Sequence, residues 1–277
     1  MMGSTKVKIF RCLAFSAVLA MSVSSANAQD FYKGVSAYSA GDFQTALKEF
    51  LPLAEGGDAD AQIYIGFMYE KGNGVIQNDV EAVKWYRLAA DQGDAIAQSN
   101  LGFMYAKGEG VIQNDVEAVK WLRLAAEQGD ADAQYSIGVM YHKGKGVIQN
   151  DAEAVKWYRY AADQGYALAI VNLGKMYDNG EGVALNYVEA LKWYRLAADQ
   201  GSALAQVSIG MKYTEGKGVV QSNVIAHMWY NIASANGDDD AASLRDLIAA
   251  QMTQEAIEKA QAMAQECMSS GYKSCGD

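Results

Sequence analysis

What this chain lacks narrows its possibilities quickly. A single proline, Pro52, stands among 277 residues, so the turns must be built by the 27 glycines and by capping side chains. Only two histidines, His142 and His227, and three cysteines are present. Neither histidine has a second histidine or a cysteine at ligand spacing, so no metal site and no cofactor are expected. Positive charge is scarce as well: 23 Lys and Arg face 33 Asp and Glu, a net charge of −10. Nucleic acid and anionic membrane demand clustered positive charge and are not expected partners.

Long apolar runs are missing except at the start. Lys6, Lys8 and Arg11 lead into an apolar stretch over residues 12–23, and Ala26, Asn27 and Ala28 follow as a small-residue cleavage site. This is the pattern of a secretory signal peptide over residues 1–28. The stretch is shorter than the ~20 residues of a bilayer span, so no stable membrane insertion is expected after cleavage. Removal takes away three basic and no acidic residues, leaving 20 against 33, a balance of −13. The chain is expected to be exported, to the periplasm or beyond it. Cys12 leaves with the leader. Cys267 and Cys275 remain, and an oxidising compartment favours a disulfide between them.

What is present is a period. The five tryptophans, Trp85, Trp121, Trp157, Trp193 and Trp229, lie 36 residues apart, as do Gly66, Gly102, Gly138, Gly174 and Gly210. Tyr69, Tyr105, Tyr141, Tyr177 and Tyr213 keep the same step. A fixed period between 20 and 50 residues means stacked structural repeats. Five units fill residues 58–237, and the first two differ at only eight positions.

Each unit reads as two helices. In the first unit Asp58 caps a helix that runs to about Lys71, and Gly72 follows where a left-handed C-terminal residue belongs. Asn78 caps the second helix with Glu81 at the capping-box position, a pairing that recurs as Asn114 with Glu117, Asn150 with Glu153 and Asn186 with Glu189. Gly93 ends it and the next unit begins. Trp85, Ala82, Ala89 and Ala90 on the second helix, with Ala61, Ile65, Gly66 and Tyr69 on the first, are the expected core. The ends differ, as capping units do. A tighter hairpin over residues 29–57 turns at Gly41 and Asp42, and residues 238–277 supply two closing helices, the last capped by Thr253.

Ala97, Leu101, Gly102, Tyr105, Gly108, Gly110, Val111, Ala118, Trp121, Ala125, Ala126 and Gly129 sit in the stretch AQSNLGFMYAKGEGVIQNDVEAVKWLRLAAEQGDA. This pattern resembles the Sel-one-like repeat family, a branch of the tetratricopeptide-like solenoids. The resemblance implies an all-α, right-handed α-solenoid used as a non-enzymatic adaptor between proteins, often exported in bacteria. It also raises a rival, cell-wall or β-lactam binding, known for relatives with a cysteine pair in every repeat. This chain has no such internal pairs. The fifth unit departs from the pattern, with Ile225 at the capping-box position and His227 and Met228 in place of Val and Lys.

Comparison between units separates two faces of the first helix. Ala61, Gln62, Ile65, Gly66, Met68 and Tyr69 hardly change, whereas Asp60, Ile63, Tyr64, Phe67, Glu70 and Lys71 do. At 100° per residue the variable set forms a stripe of about 120° opposite the repeated set. In related solenoids such stripes line a concave surface. Here the stripe holds Ile63, Tyr64, Phe67, Ile96, Asn100, Phe103, Tyr135, Val139, His142 and Asn172. These are the candidate residues for a protein or peptide partner, with aromatics as anchors. Packing against a neighbouring hairpin is the competing reading of the same stripe.

Other motifs carry less. The loops around Gly72, Gly74, Gly108 and Gly110 follow helices rather than strands and lack Walker spacing, so turn geometry explains them. Ser270 and Lys273 match a bare S-x-x-K with no accompanying S-D-N or K-T-G. The run Asp238, Asp239 and Asp240 lacks an EF-hand's spacing and reads as helix N-terminal carboxylates.

Overall fold

Capping chemistry written into the sequence sets the helix boundaries. The structure, a computed structural model, describes residues 25–272 and Cys275. Among them are fourteen helices and no strand: α1 Ser25–Ala40, α2 Phe43–Glu55, α3 Ala59–Lys71, α4 Asp79–Asp91, α5 Ala95–Lys107, α6 Asp115–Glu127, α7 Ala131–Lys143, α8 Asp151–Asp163, α9 Ala167–Asn179, α10 Tyr187–Ala198, α11 Ala203–Glu215, α12 Asn223–Ala235, α13 Ala241–Ala249 and α14 Gln254–Ser269. The leader expected over residues 1–28 lies outside the described residues except for its last four positions, which open α1. No described helix is long and apolar enough to cross a membrane.

First helices are capped by Asp58 and Asp130, which accept from the N–H of Ala61 at 2.8 Å and of Ala133 at 2.7 Å. Second helices begin at Asn78, Asn114, Asn150 and Asn186, whose side chains accept backbone N–H groups of the first turn. The reciprocal half of the expected capping box is not made. The backbone N–H of Asn114 and of Asn150 is already spent on the carbonyls of Tyr105 and Tyr141, each at 3.0 Å. Glu117 and Glu153 turn instead to Lys120 and Lys156. That backbone bond also ties the end of each first helix to the start of its partner.

The chain divides into two compact units, residues 1–97 with 109–112 and residues 98–108 with 113–277. In the first, α1 to α4 pack in sequence order. Its core gathers Val35, Ala46, Phe50, Ile65 and Met68. A Cβ on Gly34 would stand 2.6 Å from the Phe50 ring, and one on Gly66 equally close to Tyr86, so these glycines let helix pairs approach.

The second unit holds residues 98–107 of α5 together with α6 to α14, and α7 with α8, α9 with α10 and α11 with α12 pack as hairpins. Gly138, Gly174 and Gly210 face Tyr158, Tyr194 and Tyr230 across the hairpin, and these tyrosines are buried. Trp121, Trp157 and Trp229 are buried as expected, whereas Trp85 and Trp193 are half-buried. Buried glutamine stitches repeat to repeat: Gln134 donates to the Ala126 carbonyl at 3.0 Å and accepts from Gln164 at 2.8 Å. The buried Gln134 amide thereby finds partners for donor and acceptor. At the end of the chain α13 and α14 cover α12, Thr253 caps α14, and a disulfide joins Cys267 to Cys275.

The second glycine of each linker has two reasons to be glycine. Gly146 has φ +68°, and a Cβ there would lie 2.2 Å from the carbonyl oxygen of Asp115 at the start of α6. Linker and preceding second helix are thus in backbone contact, which fixes the spacing between successive hairpins.

Candidate functional site

The candidate residues are all carried by first helices, but the structure treats them unequally. In the first unit, Ile63 and Tyr64 are 3% and 7% exposed, so they correct the expectation of an accessible stripe there. For Tyr64 the N-terminal hairpin is the cause, whereas Ile63 shares the register of buried Ser99, Val171 and Val207 and is a core position of the repeat. Tyr64 stacks on Phe50 of α2 with ring centroids 4.5 Å apart and meets Phe31 and Tyr38 of α1 edge-on. The variable position held by Tyr64 is here part of the packing face for the hairpin that precedes it. Phe67 is half-buried with its ring edge-on to Tyr86, and Ile96 is half-buried.

In the second unit Asn100, Phe103, Tyr135, Val139, His142 and Asn172 are all half-buried. Tyr135 stacks with Tyr166 at 5.1 Å and leans on Tyr158 at 5.9 Å. The Tyr166 hydroxyl donates to Asp132 at 2.9 Å. Burial, and then the nearby carboxylate, raise the Tyr166 phenol above its ordinary range, so it stays a neutral donor. Tyr158 is likewise raised by burial, with an opposing hydrogen bond from Asn172. His142 Nδ1 lies 2.8 Å from the Asp151 carboxylate at the start of α8. These contacts hold the row's aromatic and polar side chains in fixed positions.

The most open apolar side chains of the row are ones the sequence comparison did not single out. Leu168 is 55% exposed, Leu204 46% and Met211 43%, and Lys175 is exposed beside them. Leu168 and Leu204 share the register of Asp132, while Lys175 and Met211 share that of Phe103 and Val139, seven residues on. Positions i and i+7 lie on one helix face, so α7, α9 and α11 each present a matched pair. The signal was in the sequence: leucine stands at a register where the first and third units carry Asp60 and Asp132 and the second carries Ile96.

Among the described residues, no group of three His, Cys, Asp or Glu could hold a metal ion. The Ser270 hydroxyl donates to the Cys267 carbonyl at 2.8 Å, and Lys273 lies outside the described residues. Asp238 accepts the N–H of Ala241, the first residue of α13, at 2.9 Å. The row presents apolar side chains, amides and one imidazole.

The model of the Sel1 repeat matches residues 59–94, 95–130, 131–166, 167–202 and 203–238. The chain belongs to the Sel1 repeat family. Its fold is the helix-turn-helix repeat solenoid of that family, whose members are generally protein-interaction scaffolds and typically not enzymes. A protective antigen with an SLR fold present in uropathogenic Escherichia coli strains is 33% identical with a TM-score of 0.79, covering 89% of this chain and 54% of its own. This chain thus spans about half the length of that relative. A Sel1 repeat protein from Oxalobacter formigenes is 34% identical with a TM-score of 0.76, covering 85% of this chain and 99% of its own. No curated protein matches the chain.

Proposed function

We propose that this Sel1-repeat chain is an exported scaffold that holds a segment of a partner protein along the first-helix row of its second unit. The observation that carries the reading is the exposure of Leu168, Leu204 and Met211 on successive first helices, beside half-buried Phe103, Tyr135 and Val139. Apolar side chains aligned on one surface act as anchors, and rigid aromatics next to them lose little entropy on binding. Asn172 and His142 add polar contacts at the edges. A periplasmic setting is supported by the leader pattern of residues 1–28 and agrees with the Cys267–Cys275 disulfide.

The test is co-purification from the native envelope with crosslinking. The wild-type chain retains a discrete protein, and the triple substitution Leu168→Glu, Leu204→Glu, Met211→Glu loses it while its helical spectrum is unchanged. Equal recovery on both chains would refute the row. Stable labelling by a β-lactam, or sedimentation with purified cell wall that the substitutions leave intact, would favour the cell-wall reading instead.

A further inference from the structure

The opposite side of the hairpins carries a second periodic surface. On α6 the exposed residues include Val116, Lys120 and Leu124, and on α10 Val188, Lys192 and Leu196, each set spaced by four residues along one face. Ala152, Lys156 and Tyr160 occupy the same places on α8. At the linker tips Ile148 and Val220 are 91% and 87% exposed, about as open as a side chain can be. Beside the last row a groove of about 500 Å³ runs between α10 and the next linker, with Val188, Leu191, Leu196 and Val219 in its wall.

The fold itself shows what this register accepts. In the fifth repeat the corresponding residues are Val224, Met228 and Ile232, and there α13 and α14 lie over α12. Met228 and Ile232 are completely buried in the core that also takes in Ile248, Ala264 and Cys267. The row is therefore a helix-docking surface wherever a helix covers it. In α6, α8 and α10 lysine replaces Met228 and no described helix of this unit covers the row.

We infer that these three rows are where a second copy of this chain docks. Three observations favour that occupant. The rows recur once per repeat, and another copy carries the same spacing, so several rows can engage at once under a two-fold axis. Each row is close to neutral on a strongly acidic chain, because Lys120, Lys156 and Lys192 pair with Glu117, Glu153 and Glu189 at 3.7, 3.9 and 2.8 Å. An antiparallel copy sets lysine of one chain opposite glutamate of the other. Finally, Val116, Leu124, Val188 and Leu196 are 38–64% exposed and the linker tips Ile148 and Val220 stand out beside them, so the rows offer apolar area for a partner to bury.

Sedimentation equilibrium of the purified chain tests this, with vesicle flotation alongside. A concentration-dependent dimer is expected, with a Kd raised about tenfold or more by Leu124→Glu or by Ile148→Glu. Both sites are exposed, so helical content and Tm stay near those of the wild type. A chain that is monomeric up to its solubility limit overturns the inference. So does a dimer that neither substitution weakens, or binding to phosphatidylethanolamine–phosphatidylglycerol vesicles that the substitutions abolish. Because the substituted residues lie on α6 and in the linker between α7 and α8 rather than on the first-helix row, partner capture on that row reads out separately.

Discussion

Gly146→Ala and Gly129→Ala form a matched pair that isolates what the repeat linker does. Both glycines have positive φ, +68° and +97°, so each alanine incurs the left-handed penalty of about 1–2 kcal/mol. At Gly129 the added methyl meets nothing within 4 Å. At Gly146 it meets the Asp115 carbonyl oxygen at 2.2 Å, the carbonyl carbon at 2.4 Å and the Val116 nitrogen at 2.9 Å. These are backbone atoms of α6, so no rotamer relieves the clash, and linker and helix must separate by roughly 1 Å. Overpacking of this kind adds about 1–3 kcal/mol. The expected destabilisation is therefore about 2–5 kcal/mol for Gly146→Ala and about 1–2 kcal/mol for Gly129→Ala. Urea unfolding followed by helical circular dichroism measures both. Equal effects would refute the claim that backbone contact at the linker sets the repeat spacing.

Other outcomes follow from single sites. Trp157→Ala, which empties a buried position against Ala118, Val119 and Leu122, is expected to cost about 3–5 kcal/mol by the same unfolding assay. Replacing Cys267 and Cys275 by serine opens a short loop and should lower stability by about 2–3 kcal/mol, read as a fall in Tm that reductant reproduces in the wild type. His227 is buried, and burial first, then the charge of Arg245, hold its pKa below the ordinary value of 6.5. The unfolded chain thus binds the proton more readily, so stability is full above about pH 6.5 and falls as the pH drops below it. A pH series of Tm on the wild type and on His227→Gln checks this, and identical slopes would remove His227 as the cause.

The architecture was legible because its signals are redundant: tryptophan, glycine and tyrosine each report the period of 36 residues, and caps and linker glycines mark the same boundaries. Details that depend on three-dimensional competition were not. The capping-box glutamates look decisive in sequence, yet the Asn114 N–H they would reach is claimed by the Tyr105 carbonyl. Tyr158, Tyr194 and Tyr230 pack against the helix glycines more completely than Trp193 is buried, because the tyrosine, one residue beyond the tryptophan, points into the hairpin. Variation between repeats identified Tyr64 as a free position, when it varies because it packs against a unique hairpin rather than a repeat. The same comparison weighed aromatic content over register and so passed over Leu168, Leu204 and Met211. The leader pattern of residues 1–28 stands on sequence alone.

Recognition along the first-helix row of the second unit is read out by site-specific photocrosslinking in the native envelope. A benzophenone side chain at position 204 is expected to give one discrete protein adduct, and the same group at exposed Lys48 on α2 none. Adducts of equal yield at both positions, or none at position 204 while position 48 reacts, would contradict the account.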